Sequence, residues 1–209
     1  MRMARSLKAG VVGMCLVGVV LSAGCDKKEE EGDAKPMLEA QKVTDMLHAV
    51  MEADRTAYTK QVVNRLVKEQ KLEMVDPETK EPKPFKASEQ WKTEHGTLPL
   101  PAQMFRMSAE AVAEKNVGFN YALLSKWPVN KQNKAKTEME TQGLDSVAEK
   151  KVPFYGVEKL GDTSYFTAVY ADVAVAPACI DCHNSHKDSP RTDFKLGDVM
   201  GGVVIRVPL

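Results

Sequence analysis

Cys179-Ile180-Asp181-Cys182-His183 places two thiols and an imidazole within five residues. Nothing else in the chain constrains it as much. Two thiols separated by two residues reach the two vinyl groups along one porphyrin edge and form thioethers. The histidine that follows is then forced beneath the iron as its proximal ligand. The segment therefore reads as a c-type attachment site for one covalent haem, with Cys179, Cys182 and His183 as binding residues and His183 as iron ligand. Two other fates are a disulfide between Cys179 and Cys182, or a zinc site completed by His183 and His186. Structural zinc sites usually draw their ligand pairs from separate knuckles, whereas these four residues lie within eight positions. A thioredoxin-like pair wants a βα unit, which no pattern here supplies. His186 reads as a rim residue rather than a ligand.

The N-terminus supplies the compartment that such chemistry needs. Arg2, Arg5 and Lys8 precede an apolar run from Ala9 to Leu21, too short for a comfortable membrane span. Leu21-Ser22-Ala23-Gly24-Cys25 resembles a bacterial lipobox, so 1–24 is expected to be removed and Cys25 lipidated. Cys15 lies within the removed part. The polar stretch 25–36 reads as a flexible tether. An Asp in the position of Asp26 resembles the inner-membrane retention signal of enterobacteria. The expected location is the periplasmic side of a bacterial membrane, held by lipid. Basic and acidic side chains are equal at 29 each, and loss of the signal leaves a net charge of about −3. No basic excess remains for nucleic acid.

The body, 37–209, divides into a helical half and a strand-rich half. From Met37 to Gln70 there is no Pro or Gly. Apolar residues at Met46, Leu47, Val50, Met51, Tyr58, Val62, Val63, Leu66 and Val67 fit one or two amphipathic helices. Prolines 77, 82 and 84 mark a loop or exposed ribbon. A short helix is expected over Ala102–Glu114, ending at Asn116 and Gly118. Phe119–Leu124 reads as a strand cut off by Trp127-Pro128, and 132–149 as a polar helix. Strands follow over 165–174, after the turn at Gly161-Asp162, and over 202–207. The economical fold is one α+β domain with an antiparallel sheet.

The sixth iron position has several candidates. Met104 and Met107 share a face of the short helix after Leu98-Pro99-Leu100-Pro101. His48 lies beside the apolar stripe of the first helix, with Met51, Met46 and Tyr58 on the same segment, and His95 sits in Glu94-His95-Gly96. No spare thiol remains once Cys25, Cys179 and Cys182 are modified. Arg55, Lys187, Arg191 and Lys195 are candidate partners for haem propionates.

Several further stretches carry a resemblance. They are Asp54-Arg55-Thr56-Ala57-Tyr58, Val62-Val63-Asn64-Arg65-Leu66, Leu98-Pro99-Leu100-Pro101-Ala102, Leu124-Ser125-Lys126-Trp127-Pro128-Val129-Asn130, the haem motif through His186, and Phe194 to Gly201. Together they resemble the bacterial periplasmic c-type haem domains of PAS-like fold, over roughly 37–209. The resemblance implies a PAS-like antiparallel sheet flanked by helices, with a long N-terminal helical segment and haem held between sheet and helices. Its functional residues fall here on Cys179, Cys182 and His183. A second-ligand cysteine used within that family has no counterpart in this chain.

The expected function is that of a freestanding monohaem, cytochrome-like lipoprotein in periplasmic electron transfer or redox sensing, working with a partner protein. The alternative is a haem-based sensor of a gas or small ligand. Enzymatic activity is not expected. A peroxidase needs a His and Arg poised over the iron, and the one pair to nominate, His48 and Arg55, lies about 10 Å apart along a helix.

Overall fold

The computed structural model describes residues 34–209. The signal segment 1–24, Cys15, Cys25, Asp26 and the tether as far as residue 33 lie outside the described residues. Helix α1 (Ala34–Ala57) begins inside the stretch read as tether. Pro36 falls in its first turn, where a missing N–H costs no hydrogen bond. From Tyr58 to Glu69 the helical run continues with π-type bonding, and the N–H of Gln70 donates to Arg65 O at 2.9 Å. The winding changes where Thr59 Oγ1 donates to Arg55 O at 2.7 Å, competing for a carbonyl of the preceding turn. One continuous helical run thus stands where one or two helices were expected.

Residues 73–99 form two small ribbons. β1 (Glu73–Val75) pairs antiparallel with β2 (Pro82–Pro84), and β3 (Lys86–Ser88) pairs parallel with β4 (Thr97–Pro99). Helix α2 (Pro101–Lys115) starts on a proline at its first position and ends at Asn116 with φ 47°. β5 (Asn120–Leu124) follows. The polar helix expected from 132 is shorter: α3 (Glu138–Lys150) starts only after Thr137, whose side chain accepts from the Glu140 N–H. The Glu140 carboxylate returns to the Thr137 N–H at 3.1 Å and completes a capping box.

β6 (Phe154–Leu160) was not anticipated. β7 (Thr163–Val173) and β8 (Val199–Pro208) flank helix α4 (Pro177–Ser185) in the chain. The sheet has the order β5-β8-β7-β6 and is antiparallel throughout, with Ala168 opposite Ile205 and Tyr170 opposite Val203. It is an open sheet flanked by helices, and a long helix comes first in the described chain, as a PAS-like α+β architecture requires.

Alternation along β7 and β8 divides the core between the two faces. Phe166, Ala168, Tyr170, Val203 and Ile205 face Ala40, Leu47 and Met51 of α1 and Phe105 of α2. Val169, Val204 and Val199 face Leu144 and Val147 of α3. Each fully buried aliphatic or aromatic side chain stabilises this arrangement by about 1.5–3 kcal/mol. Gly143 lets α3 approach closely, since a Cβ there would lie 2.5 Å from Val169 Cγ2. On the same face Arg206 donates to Glu140 Oε1 at 2.7 Å and to Glu158 Oε1 at 2.8 Å, with all three side chains at or below 10% exposure. A third cluster, Ala174, Phe194 and Met200 with Trp127, Cys179 and Ile180, closes the end from which α4 projects.

Candidate functional site

Helix α4 starts with Pro177 at its first position, which presets the backbone for a helix too short to form alone. Helical spacing brings Cys179, Cys182 and His183 to one side of α4, three and four residues apart. Both thiols are free and half-buried. Burial pushes the Cys182 thiol up, and the carboxylate of Glu89 adds to the effect. His183 meets the ring of Phe194 edge-on at 5.8 Å and 89°. Its Nδ1 is buried without a hydrogen-bond partner. Burial, then the positive charge of Arg55, holds this imidazole below the ordinary histidine pKa, so it is neutral and keeps a lone pair for a metal.

Arg55 stands nearby at the end of α1. Its guanidinium forks onto Asp172, with one nitrogen 3.0 Å from Oδ2 and another against Oδ1. Its Nε, too, is buried without a hydrogen-bond partner among the described residues. Beside it a narrow cleft with a free volume of about 20 Å³ lies between α1, α2 and the end of the sheet, lined by His48, Met51, Arg55, Phe105, Asp172 and Val203 among others. His48 stacks on Tyr170 with ring centroids 4.0 Å apart and planes at 9°. Burial lowers its pKa against the opposing pull of Glu52 and Asp45, so this imidazole is neutral too. Tyr170 and Tyr155 both donate to Asp45 Oδ1 at 2.7 Å. Burial and that carboxylate push Tyr155 up to about 12.

Two thiols, a neutral imidazole with an orphaned nitrogen, an unpartnered cationic N–H and an adjoining cleft are the parts a covalent haem needs. The donor set fits that group.

The other candidates lie elsewhere. Of the sixth-ligand residues, His48 and Met51 line the cleft, while Met104, Met107 and His95 are not among its lining residues. Met104 Sδ lies 4.0 Å from Ser108 Oγ on α2, and Met107 is half-buried on the same helix. His95 belongs to a separate polar groove with Asp76 and Lys83. Met46 is 63% exposed, and the Tyr58 hydroxyl donates to Pro99 O at 2.7 Å. His186 has Nε2 3.3 Å from Glu89 and accepts the Asp188 N–H at Nδ1. Among the propionate candidates, Arg55 reaches the cleft and Lys187 and Lys195 are exposed. Arg191 is bound to Asp193 and Asp198. Sequence reasoning missed Asp172, though a lone acid among the apolar residues of a strand was a signal. It also missed Phe194 as a neighbour of the haem motif, because only the fold brings it there, and the grip of Asn184 on its backbone.

An open antiparallel α+β sheet carrying the c-type haem-attachment spacing on a short helix at its end defines the class. The chain belongs to the Tll0287-like family, whose model matches residues 33–208. It is also similar to the cyanobacterial heme-protein Tll0287, with a TM-score of 0.48 and 12% identity over 80% of this chain and 95% of that one. No curated protein matches the chain in sequence.

Proposed function

We propose that this chain is a monohaem, c-type cytochrome-like lipoprotein that transfers electrons or senses redox state at the periplasmic face of a bacterial membrane. One observation carries the reading: a short helix at the end of the sheet presents two free thiols and a neutral imidazole on one side. Bound haem would supply a one-electron iron couple. The remaining work falls to the chain itself. Cys179 and Cys182 would hold the porphyrin through thioethers, and His183 would supply its imidazole as an iron ligand. Arg55, positioned by Asp172, offers its free Nε–H to a propionate. Phe105 and Val203 exclude water from the cleft, which lowers the local dielectric and strengthens the Arg55 contact. His48, held flat against Tyr170, is the sixth-ligand residue best prepared for the task.

Absorption spectra of the oxidised, reduced and reduced-plus-CO protein, made with periplasmic haem maturation, test this. The expected result is a low-spin spectrum without a near-red thioether band, indifferent to CO, and CO binding only after His48→Ala. Rapid CO binding by the unmodified protein would overturn the redox reading in favour of a ligand sensor, and a thioether band would replace His48 by Met51.

The membrane attachment rests on Cys25. No helix among the described residues is long and apolar enough to cross a membrane. Cys25→Ser is therefore expected to move the protein from the membrane fraction to the soluble fraction with its haem retained. Unchanged membrane retention would remove the lipid anchor from the proposal.

A further inference from the structure

Phe194 is 3% exposed, yet it belongs to a loop without regular structure. Its backbone is clamped by a single side chain. Asn184 Nδ2 donates to Phe194 O at 2.9 Å, and the Phe194 N–H donates to Asn184 Oδ1 at 2.9 Å, a two-point grip one residue beyond His183. The ring is enclosed as well. Trp127 meets it edge-on at 5.7 Å and His183 edge-on at 5.8 Å. The guanidinium carbon of Arg191 lies 4.3 Å from the Phe194 centroid and 4.9 Å from that of Trp127. Two carboxylates fix that guanidinium, Asp193 at 2.6 Å from Nε and Asp198 at 3.3 Å from a terminal nitrogen.

A histidine that ligates a metal is ordinarily oriented by a hydrogen bond from its second ring nitrogen. His183 has no such bond, so packing has to set the plane of its ring. We infer that Arg191 is a positioning residue for the proximal imidazole, acting through Phe194, and is not a propionate partner. The chemistry of each group supports the division of labour. A planar guanidinium stacks on aromatic faces while its edge nitrogens bind carboxylates, which a lysine ammonium cannot do in one geometry. Arg191 packs on the Phe194 ring that meets His183 edge-on, and Asn184 keeps the Phe194 backbone from slipping. The inference rests on His183 being the iron ligand.

The test is the midpoint potential of the haem-loaded full chain in Arg191→Leu, Arg191→Lys and Phe194→Leu, with thermal unfolding of each measured alongside. Outer-sphere support of a ligating histidine ordinarily acts on metal affinity or activity on the scale of tenfold or more, and the couple is assigned a shift of the same order. All three variants are therefore expected to change the ferric-to-ferrous ratio at the wild-type midpoint by about tenfold. Arg191→Lys keeps the charge and Phe194→Leu never touches one, so a shift in both separates positioning from electrostatics. Should Arg191→Leu fail to fold, these two variants carry the test. A wild-type midpoint in Arg191→Lys would overturn the inference, and so would a wild-type midpoint in Phe194→Leu. Failure of the underlying reading shows separately, as an unchanged haem spectrum in His183→Ala.

Discussion

With alanine at both Cys179 and Cys182, protein matured in a haem-attaching periplasm is expected to release all its haem into acidified acetone, while the unmodified chain keeps about one per molecule. A thioether survives acid and organic solvent, whereas an iron–imidazole bond alone does not. Single replacements should retain haem through the remaining thioether, with an altered reduced spectrum because one vinyl group is restored. The structure bears on the competing fates of these thiols. Burial and the carboxylate of Glu89 hold the Cys182 thiol above the ordinary thiol value, which slows its attack in disulfide exchange. A zinc site would need His186, whose two nitrogens are engaged by Glu89 and by the Asp188 N–H. Acid-stable haem in the double variant would place the attachment elsewhere and remove the central assignment.

Arg206→Met is expected to destabilise the fold by about 3–5 kcal/mol, the scale on which removing one partner of a buried ion pair acts. Two carboxylates depend on this guanidinium, Glu140 at the start of α3 and Glu158 on β6. Burial alone would raise the Glu158 carboxyl. Hydrogen bonds from Thr167 and Arg206 outweigh it and hold the group below 4.5. A carboxyl lowered by folding contributes stability above its unfolded pKa and loses it as pH falls through the folded value. The wild-type protein should therefore lose this contribution on acidification below pH 4.5. In Arg206→Met burial dominates, the sign reverses, and protonation relieves the variant. Urea unfolding at neutral and acidic pH measures both effects. The difference between the two proteins should narrow as pH falls. A loss below about 1 kcal/mol at neutral pH would mean the network behaves like an exposed pair.

The same network explains one limit of reading this chain as a sequence. β7 and β8 were legible because Tyr165–Ala174 and Gly202–Val207 are rich in β-branched and aromatic residues with turns before them. β6 was not, because Gly156, Glu158 and Lys159 give Phe154–Leu160 a polar look. Glu158 faces inward only because Arg206 from β8 meets it there, which no local pattern reveals. Helix α4 was hidden for a similar reason. Cys179, Cys182 and His183 are poor helix formers, and packing of Cys179 and Ile180 against Trp127, Phe194 and Met200 holds them in that form. The spacing of Cys179, Cys182 and His183 was plain in the sequence itself. His48 and Met51 could not be separated from Met104, Met107 and His95 without the fold, since sharing a cleft depends on how α1 crosses the sheet.

β8 comes last among the strands of the chain, yet it lies inside the sheet, paired with β5 on one side and β7 on the other. A polypeptide that emerges N-terminus first presents β5, β6 and β7 before the strand that joins them. Until residues 199–208 arrive, β5 has no neighbour and the apolar rows of β7 stay open to water. Helix α4 precedes that last strand, so Cys179 and Cys182 emerge before the four-stranded sheet is complete, when of its strands only β6 and β7 can pair. Vectorial synthesis alone thus creates an interval in which both thiols are reachable by a bulky planar group, with no lid or hinge required. Chains ending before Val199 would have no central strand at all, and they should meet quality-control proteases as unfolded polypeptide rather than as a smaller version of this fold.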